Sequence, residues 1–141
     1  MGSEICIRDS FFSMDTDDSS PLHPAKSDQR RHELNAVLSM VRSAHPELTH
    51  VAGGSWLYST RSYGSLFPAT HVANARVRRN RTTFRGMSHW GQFLDYRWAV
   101  RAHLADEFLS RVRAWQGEDP CLLFPIDTLE VFSPIDAFDS Y

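Results

Sequence analysis

His45-Pro46 puts a hard end on a long helical pattern, and that stop constrains the fold more than any other feature of the sequence. A proline disfavours helical geometry in the residue before it, so the pattern running from Ser27 to Ala44 must break there. Within it Leu34, Val37, Leu38 and Val41 recur at helical spacing. Ser27 can cap the first turn, and Asp28 suits the positive end of the helix dipole. After the break, Thr49 to Tyr58 reads as a strand interrupted by Gly53-Gly54. A glycine pair inside a strand marks either a bulge or a close backbone approach. A helix ending this sharply before a strand predicts an α+β fold, with two long helices and one short helix packed on a small mixed sheet.

The rest of the chain fits that frame. Ser59 or Thr60 can cap a short helix carrying Tyr63, Leu66 and Phe67, ended by Pro68. Val72 to Phe84 reads as extended. Ala73, Ala75 and Val77 alternate there with Asn74, Arg76 and Arg78, and Asn80 is a turn residue. Gly86 to Asp95 reads as loop or strand. A second long helix is expected from about Tyr96 to Gln116, capped by Asp95 and stopped by Gly117, with Trp98, Ala102, Ala105, Phe108, Val112 and Trp115 on its inner face. Leu122 to Phe124 and Thr128 to Phe132 read as two short strands around a Pro125-Ile126-Asp127 turn. Residues 27–141 therefore read as a single α+β domain. Residues 1–26 read as loop-like, with Ser, Asp and Pro dominating from Ser13 to Pro24. Glu4 to Ser10 also resembles the translated adapter strings found at the ends of metagenomic open reading frames. That reading makes the segment non-native and the sheet short of strands at its N-terminal side.

Charge is unevenly distributed along the 141 residues, although the net value is only −2. Both ends are acidic. Between them, residues 76–113 carry Arg76, Arg78, Arg79, Arg81, Arg85, Arg97, Arg101, Arg111 and Arg113, opposed within that stretch only by Asp95, Asp106 and Glu107. The acidic ends can fold back on this middle, or the middle can present a basic surface to an anion. Lys26 is the only lysine, so the positive charge is almost all guanidinium, which suits bidentate contacts with carboxylate or phosphate. Nucleic acid is the weaker reading, because the chain as a whole is acidic and few aromatic residues interleave with the arginines. Cys6 and Cys121 lie far apart with no metal-ligand spacing, and read as free thiols in a reducing, cytoplasmic compartment. The seven histidines show no metal-binding spacing either. No apolar run approaches the roughly 20 residues needed to span a bilayer, and no secretory signal is read at the N-terminus.

Two segments combine glycine with polar and aromatic side chains. In Gly53-Gly54-Ser55-Trp56-Leu57-Tyr58, the glycines can admit a ligand beside Ser55, Trp56 and Tyr58. The same residues can equally form a structural turn with both aromatics in the core. A serine nucleophile is disfavoured, since Leu57 stands where a Gly-x-Ser-x-Gly elbow needs its last glycine. In Met87-Ser88-His89-Trp90-Gly91-Gln92, the side chains of His89, Trp90 and Gln92 can face a ligand, and His89 can serve acid–base chemistry. Trp90 can instead anchor the core, with His89 on the surface. The ligand-facing reading puts both segments on one concavity, with Ser55 and Gln92 sharing a ligand. Arg76 and Arg78 complete the candidate set as contacts for an anionic ligand or partner.

The order helix, His45-Pro46, strand, Ser55-Trp56-Leu57, short helix, Leu66-Phe67-Pro68, Asn74 and an arginine-bearing strand resembles the C-terminal domain of bacterial GNAT-like acyltransferases. In those proteins a Ser-Trp-Leu-Leu-Asp-Pro stretch follows the helix, and an Asn precedes the last strand. The resemblance spans about residues 32–85. It implies a GNAT-like fold fragment, a small-molecule enzyme domain of acyltransferase type and a coenzyme A thioester as cofactor. The sequence departs from the pattern at Tyr58-Ser59-Thr60, which replaces Leu-Asp-Pro. It also lacks an Arg/Gln-x-x-Gly-x-Gly/Ala loop for the coenzyme A pyrophosphate.

Overall fold

The computed structural model describes residues 3–7, 23–79, 87–139 and 141, and for residues 3–7 the backbone alone. Among these residues the fold is α+β, built on a four-stranded mixed sheet. Strand β1 (Ser3–Ile7) runs parallel to β2 (Leu48–Ser55), and β2 runs antiparallel to β4 (Leu129–Pro134). β4 in turn pairs antiparallel with the two-residue β3 (Arg76–Val77), giving the order β1-β2-β4-β3. The opening residues, read from sequence as loop-like, thus contribute an edge strand. Ser13 to Pro21, Asn80, Arg81, Phe84 and Arg85 lie outside the described residues.

Helix α1 (Ser27–Ala44) has the expected bounds, but a 3-10 turn at Pro24–Lys26 leads into it, so Ser27 is its first residue rather than its cap. Leu38 is its one buried residue, while Val37 points outward at 55% exposure. Polar side chains hold the helix to the last part of the chain. Arg31 donates to the Ser65 carbonyl, Asn35 to the Tyr141 carbonyl at 2.7 Å, and Arg42 to Asp139 and the Ile135 carbonyl. The acidic tail meets the arginine-rich middle through Glu130 on Arg78, while its Asp139 pairs with Arg42 of α1 instead.

β2 is shorter than expected and unbroken. Its register with β4 runs without a bulge from His50↔Pro134 to Ser55↔Leu129, and Trp56–Ser59 then form a 3-10 turn capped by Ser55. The glycine pair marks close approach on both faces instead. A Cβ on Gly53 would stand 2.9 Å from Cε2 and Cζ of Tyr58 on the core side. One on Gly54 would stand 2.7 Å from Nη1 of Arg78 on the other side. Tyr58 is 4% exposed and packed against Tyr63, Phe67 and His71, so it has nowhere to go. Gly53→Ala is expected to cost about 1–3 kcal/mol by overpacking. A urea midpoint equal to that of the parent chain would show that Tyr58 yields freely.

Thr60 caps α2 (Arg61–Gly64), accepting from the Tyr63 amide at 3.4 Å. Pro68 does not only end that stretch; it begins α3 (Ala69–Ala73), a stretch the alternation pattern partly reads as extended. Their side chains fill the main core with Val51, Trp56, Leu57, Tyr58, Val131 and Phe138.

The chain from Met87 to Phe93 is helical rather than loop or strand, as α4 (Met87–Trp90) followed by a 3-10 turn. The second long helix, α5 (Ala102–Ala114), starts six residues later than expected. Asp95 is taken by a hairpin: its Oδ1 accepts from the Arg97 and Ala99 amides, both at 2.8 Å, and Leu94 bridges to Val100. Trp98 sits at φ 65°, a left-handed conformation that no helix can pass through. The buried face of α5 also differs, being set by Leu104 at 7% exposure with Phe108 half-buried beside it. Trp98, Val112 and Trp115 are 59%, 40% and 46% exposed. Leu122–Phe124, read as a strand, lies in a 3-10 turn (Pro120–Leu123) and the residue after it. Among the described residues no helix is long and apolar enough to cross a membrane.

Candidate functional site

The two faces of the sheet are unlike. On β2, Val51, Gly53 and Ser55 are buried and alternate with partly exposed His50, Ala52 and Gly54. On β4, Val131 and Ser133 are buried and alternate with exposed Glu130, Phe132 and Pro134. The buried set meets the helices, as a period of two requires when one face is covered. The other set floors a concavity of about 620 Å³, lined by Ala52, Gly54, Arg76, Arg78, Glu130 and Phe132, with Asn74 at its side. That volume is within the roughly 300–1,000 Å³ of small-molecule sites.

The register brings these residues together. Ala52 lies opposite Phe132, Gly54 opposite Glu130, and Glu130 opposite Arg76 on the edge strand. Arg78 follows β3 and is tied down by its own amide, which donates to the Thr128 carbonyl at 2.8 Å. Because Gly54 has no side chain, the Arg78 guanidinium lies over the backbone of β2, with Nε 3.8 Å from Glu130. Among the described residues Arg76 has no carboxylate partner. Among the described side chains that line the concavity, two guanidiniums stand against one carboxylate.

The remaining sequence candidates are placed otherwise. Ser55 is fully buried, and its hydroxyl accepts from the Leu57 amide at 3.2 Å. Trp56 and Tyr58 are core residues at 2% and 4% exposure. Gln92 is fully buried and acts as a clamp. Its amide nitrogen donates to the carbonyls of His89 and Ile126, and its oxygen accepts from the Ile126 amide at 2.9 Å. His89, read as a surface or catalytic residue, is 1% exposed. The Thr128 hydroxyl donates to the Ser88 carbonyl at 2.8 Å, so at its 2.8 Å contact with His89 it must accept from Nδ1–H. Burial pushes the His89 pKa down, the positive charge of Arg78 adds to that, and Asp119 opposes it. A neutral, enclosed imidazole of this kind fastens α4 to the segment before β4. The two glycine-bearing segments do meet, since a Cβ on Gly91 would stand 3.0 Å from Trp56 Nε1. They meet as packed surfaces, and Ser55 and Gln92 turn their polar atoms to the backbone rather than to a shared ligand. Trp90 is half-exposed at the rim of an aromatic cluster with Phe93, Phe108 and Phe124.

Of the eight candidates, Arg76 and Arg78 thus reach the open concavity. Glu130 and Phe132 complete it and were missed as site residues, although any strand from Thr128 to Phe132 puts positions 130 and 132 on one face. Among the described residues no three His, Cys, Asp or Glu side chains converge. Comparison with protein-family models, with curated proteins and with solved structures returns no match to this chain.

Proposed function

We propose that this chain is a noncatalytic module that binds an anionic ligand on the open face of its sheet, with Arg76 and Arg78 as the anchoring groups. One observation carries the reading: Gly54 clears the space that the Arg78 guanidinium occupies over the sheet, next to Arg76 and above a concavity of ligand size. Guanidinium forks suit phosphate and carboxylate, and two of them on one small surface favour an anion over a neutral ligand. The acyltransferase-type reading would use the same surface for the phosphates of a coenzyme A thioester, so that ligand belongs among the anions to test. Cytoplasmic location is part of the proposal, supported by the free, buried thiol of Cys121.

Sulfate, phosphate, pyrophosphate or coenzyme A is expected to raise the melting temperature through binding linkage. Arg76→Gln/Arg78→Gln should abolish the response while melting within a few degrees of the parent chain, since Arg76 is exposed and Arg78 is only partly buried. Gly54→Val should do the same by displacing the Arg78 guanidinium, the mobile end of a long side chain, at little cost to the fold. A response that survives both variants would move the anion site elsewhere.

A further inference from the structure

We infer, building on the anion-site reading above, that this face takes a nucleotide-type ligand: a planar heterocycle laid on the Phe132 ring, with its phosphate on Arg76 and Arg78. A bare anion site has no use for an aromatic floor, yet Phe132 is 49% exposed and lines the concavity. His50 stacks behind it with ring centroids 4.7 Å apart and planes 12° from parallel, which fixes the ring and makes it a platform. The residue opposite Phe132 is Ala52, and the next on that face of β2 is Gly54. With no large side chain from either, a flat group can lie close to the sheet.

The spacing also matches. Phe132 is two residues along β4 from Glu130, the residue paired with Arg76, which sets its Cα about 7 Å along the strand from that of Glu130. A sugar separating base from phosphate covers that kind of gap. Asn74 and Glu130 border the same space, offering an amide and a carboxylate to base amino groups or sugar hydroxyls. Stacking on an aromatic ring, charge-assisted phosphate contacts and one or two polar groups are what recognise an unpaired nucleotide, free or within a single strand.

The test is a titration of the full chain, followed by NMR and calorimetry, with inorganic phosphate, adenosine, AMP and an eight-residue oligouridylate. AMP is expected to bind about tenfold or more tighter than phosphate, the gain one stacked base gives. Phe132→Ala should remove that gain, leave phosphate affinity unchanged and keep the parent melting temperature. Equal affinity for AMP and phosphate, or an AMP gain that survives Phe132→Ala, overturns the stacked-base inference while leaving the anion site standing. No binding of phosphate, AMP or oligouridylate by the parent chain overturns both. Oligouridylate binding far tighter than AMP, with steep salt dependence, assigns the chemistry to a single strand. Affinity no better than that of AMP assigns it to the free nucleotide.

Discussion

Phe124→Ala is expected to lower the unfolding free energy by about 3–5 kcal/mol, the range for truncating a buried phenylalanine. Phe124 is 4% exposed and sits at the centre of the second core, with ring centroids 5.0 Å from Trp90, 5.3 Å from Phe108, 4.9 Å from His89 and 6.0 Å from Phe93. Each pair adds to the area term through edge-to-face or tilted geometry. Removing the hub leaves a void that α4, α5 and the turn before β4 would all have to close. Phe108→Ala should cost less, because Phe108 is only half-buried and belongs to the cluster's outer wall. Urea melts at unchanged m-value would measure both, and tryptophan emission should report the loss directly through Trp90. A Phe124 loss below about 1 kcal/mol, or one smaller than that of Phe108, would refute the hub.

That cluster shows why the sequence was legible only in part. The α1 bounds follow from local signals: a first turn carrying Asp28 and a stop imposed by Pro46. β4 was readable in outline, as a short strand after the Pro125-Ile126-Asp127 turn. α5 was not, because its sequence has two apolar stripes. Ala105, Phe108 and Val112 with Trp115 form one, Leu104 and the same Phe108 the other. Periodicity cannot choose between them; the aromatic residues of α4 and Phe124, distant in sequence, do. Asp95 misled for a related reason. A carboxylate before an apolar pattern suits a helix cap, but it suits a hairpin turn as well.

At the candidate site the same division holds. Arg76 and Arg78 were found because charge is visible in composition, and the anion reading needed nothing more. Gln92, Ser55 and His89 attracted attention because polar residues beside glycine often line pockets. In this fold the polar atoms of Ser55 and Gln92 satisfy backbone groups that helix ends and turns leave open, and the His89 ring meets the Thr128 hydroxyl. Nothing local distinguishes a side chain that serves the backbone from one that serves a ligand. Phe132 became a site residue only when the register placed it two positions from the arginine row.

Acidification from pH 7 to pH 5 is expected to remove about 2 kcal/mol of stability through His71 alone. His71 is fully buried between the rings of Phe67 and Phe138, and its Nδ1 is 2.7 Å from the Ser133 hydroxyl. Among the described residues Nε2 has no hydrogen-bond partner, so a second proton would be carried in an apolar environment. Burial accordingly lowers its pKa from 6.5 to about 4. Above pH 6.5 the ring is neutral in both folded and unfolded chains, and the full stability is present. Between 6.5 and about 4 the unfolded chain takes up a proton that the folded chain refuses, and stability falls by about 1.4 kcal/mol per pH unit. Below that window the folded ring also protonates, and this contribution to the slope ends. His89, lowered for the same reason, adds in the same direction. Glu33, Glu47 and Glu118 also have lowered values, but they are exposed and titrate below 4.5, so the interval from pH 7 to 5 isolates the imidazoles. His71→Phe keeps an aromatic ring in the slot and leaves Ser133 its contact with the Pro134 carbonyl. Its loss between pH 7 and 5 should be smaller than that of the parent chain by about 2 kcal/mol. If the variant is too unstable to compare, an NMR titration of the folded parent decides the matter. A His71 ring that titrates near 6.5 would contradict the neutral, buried state.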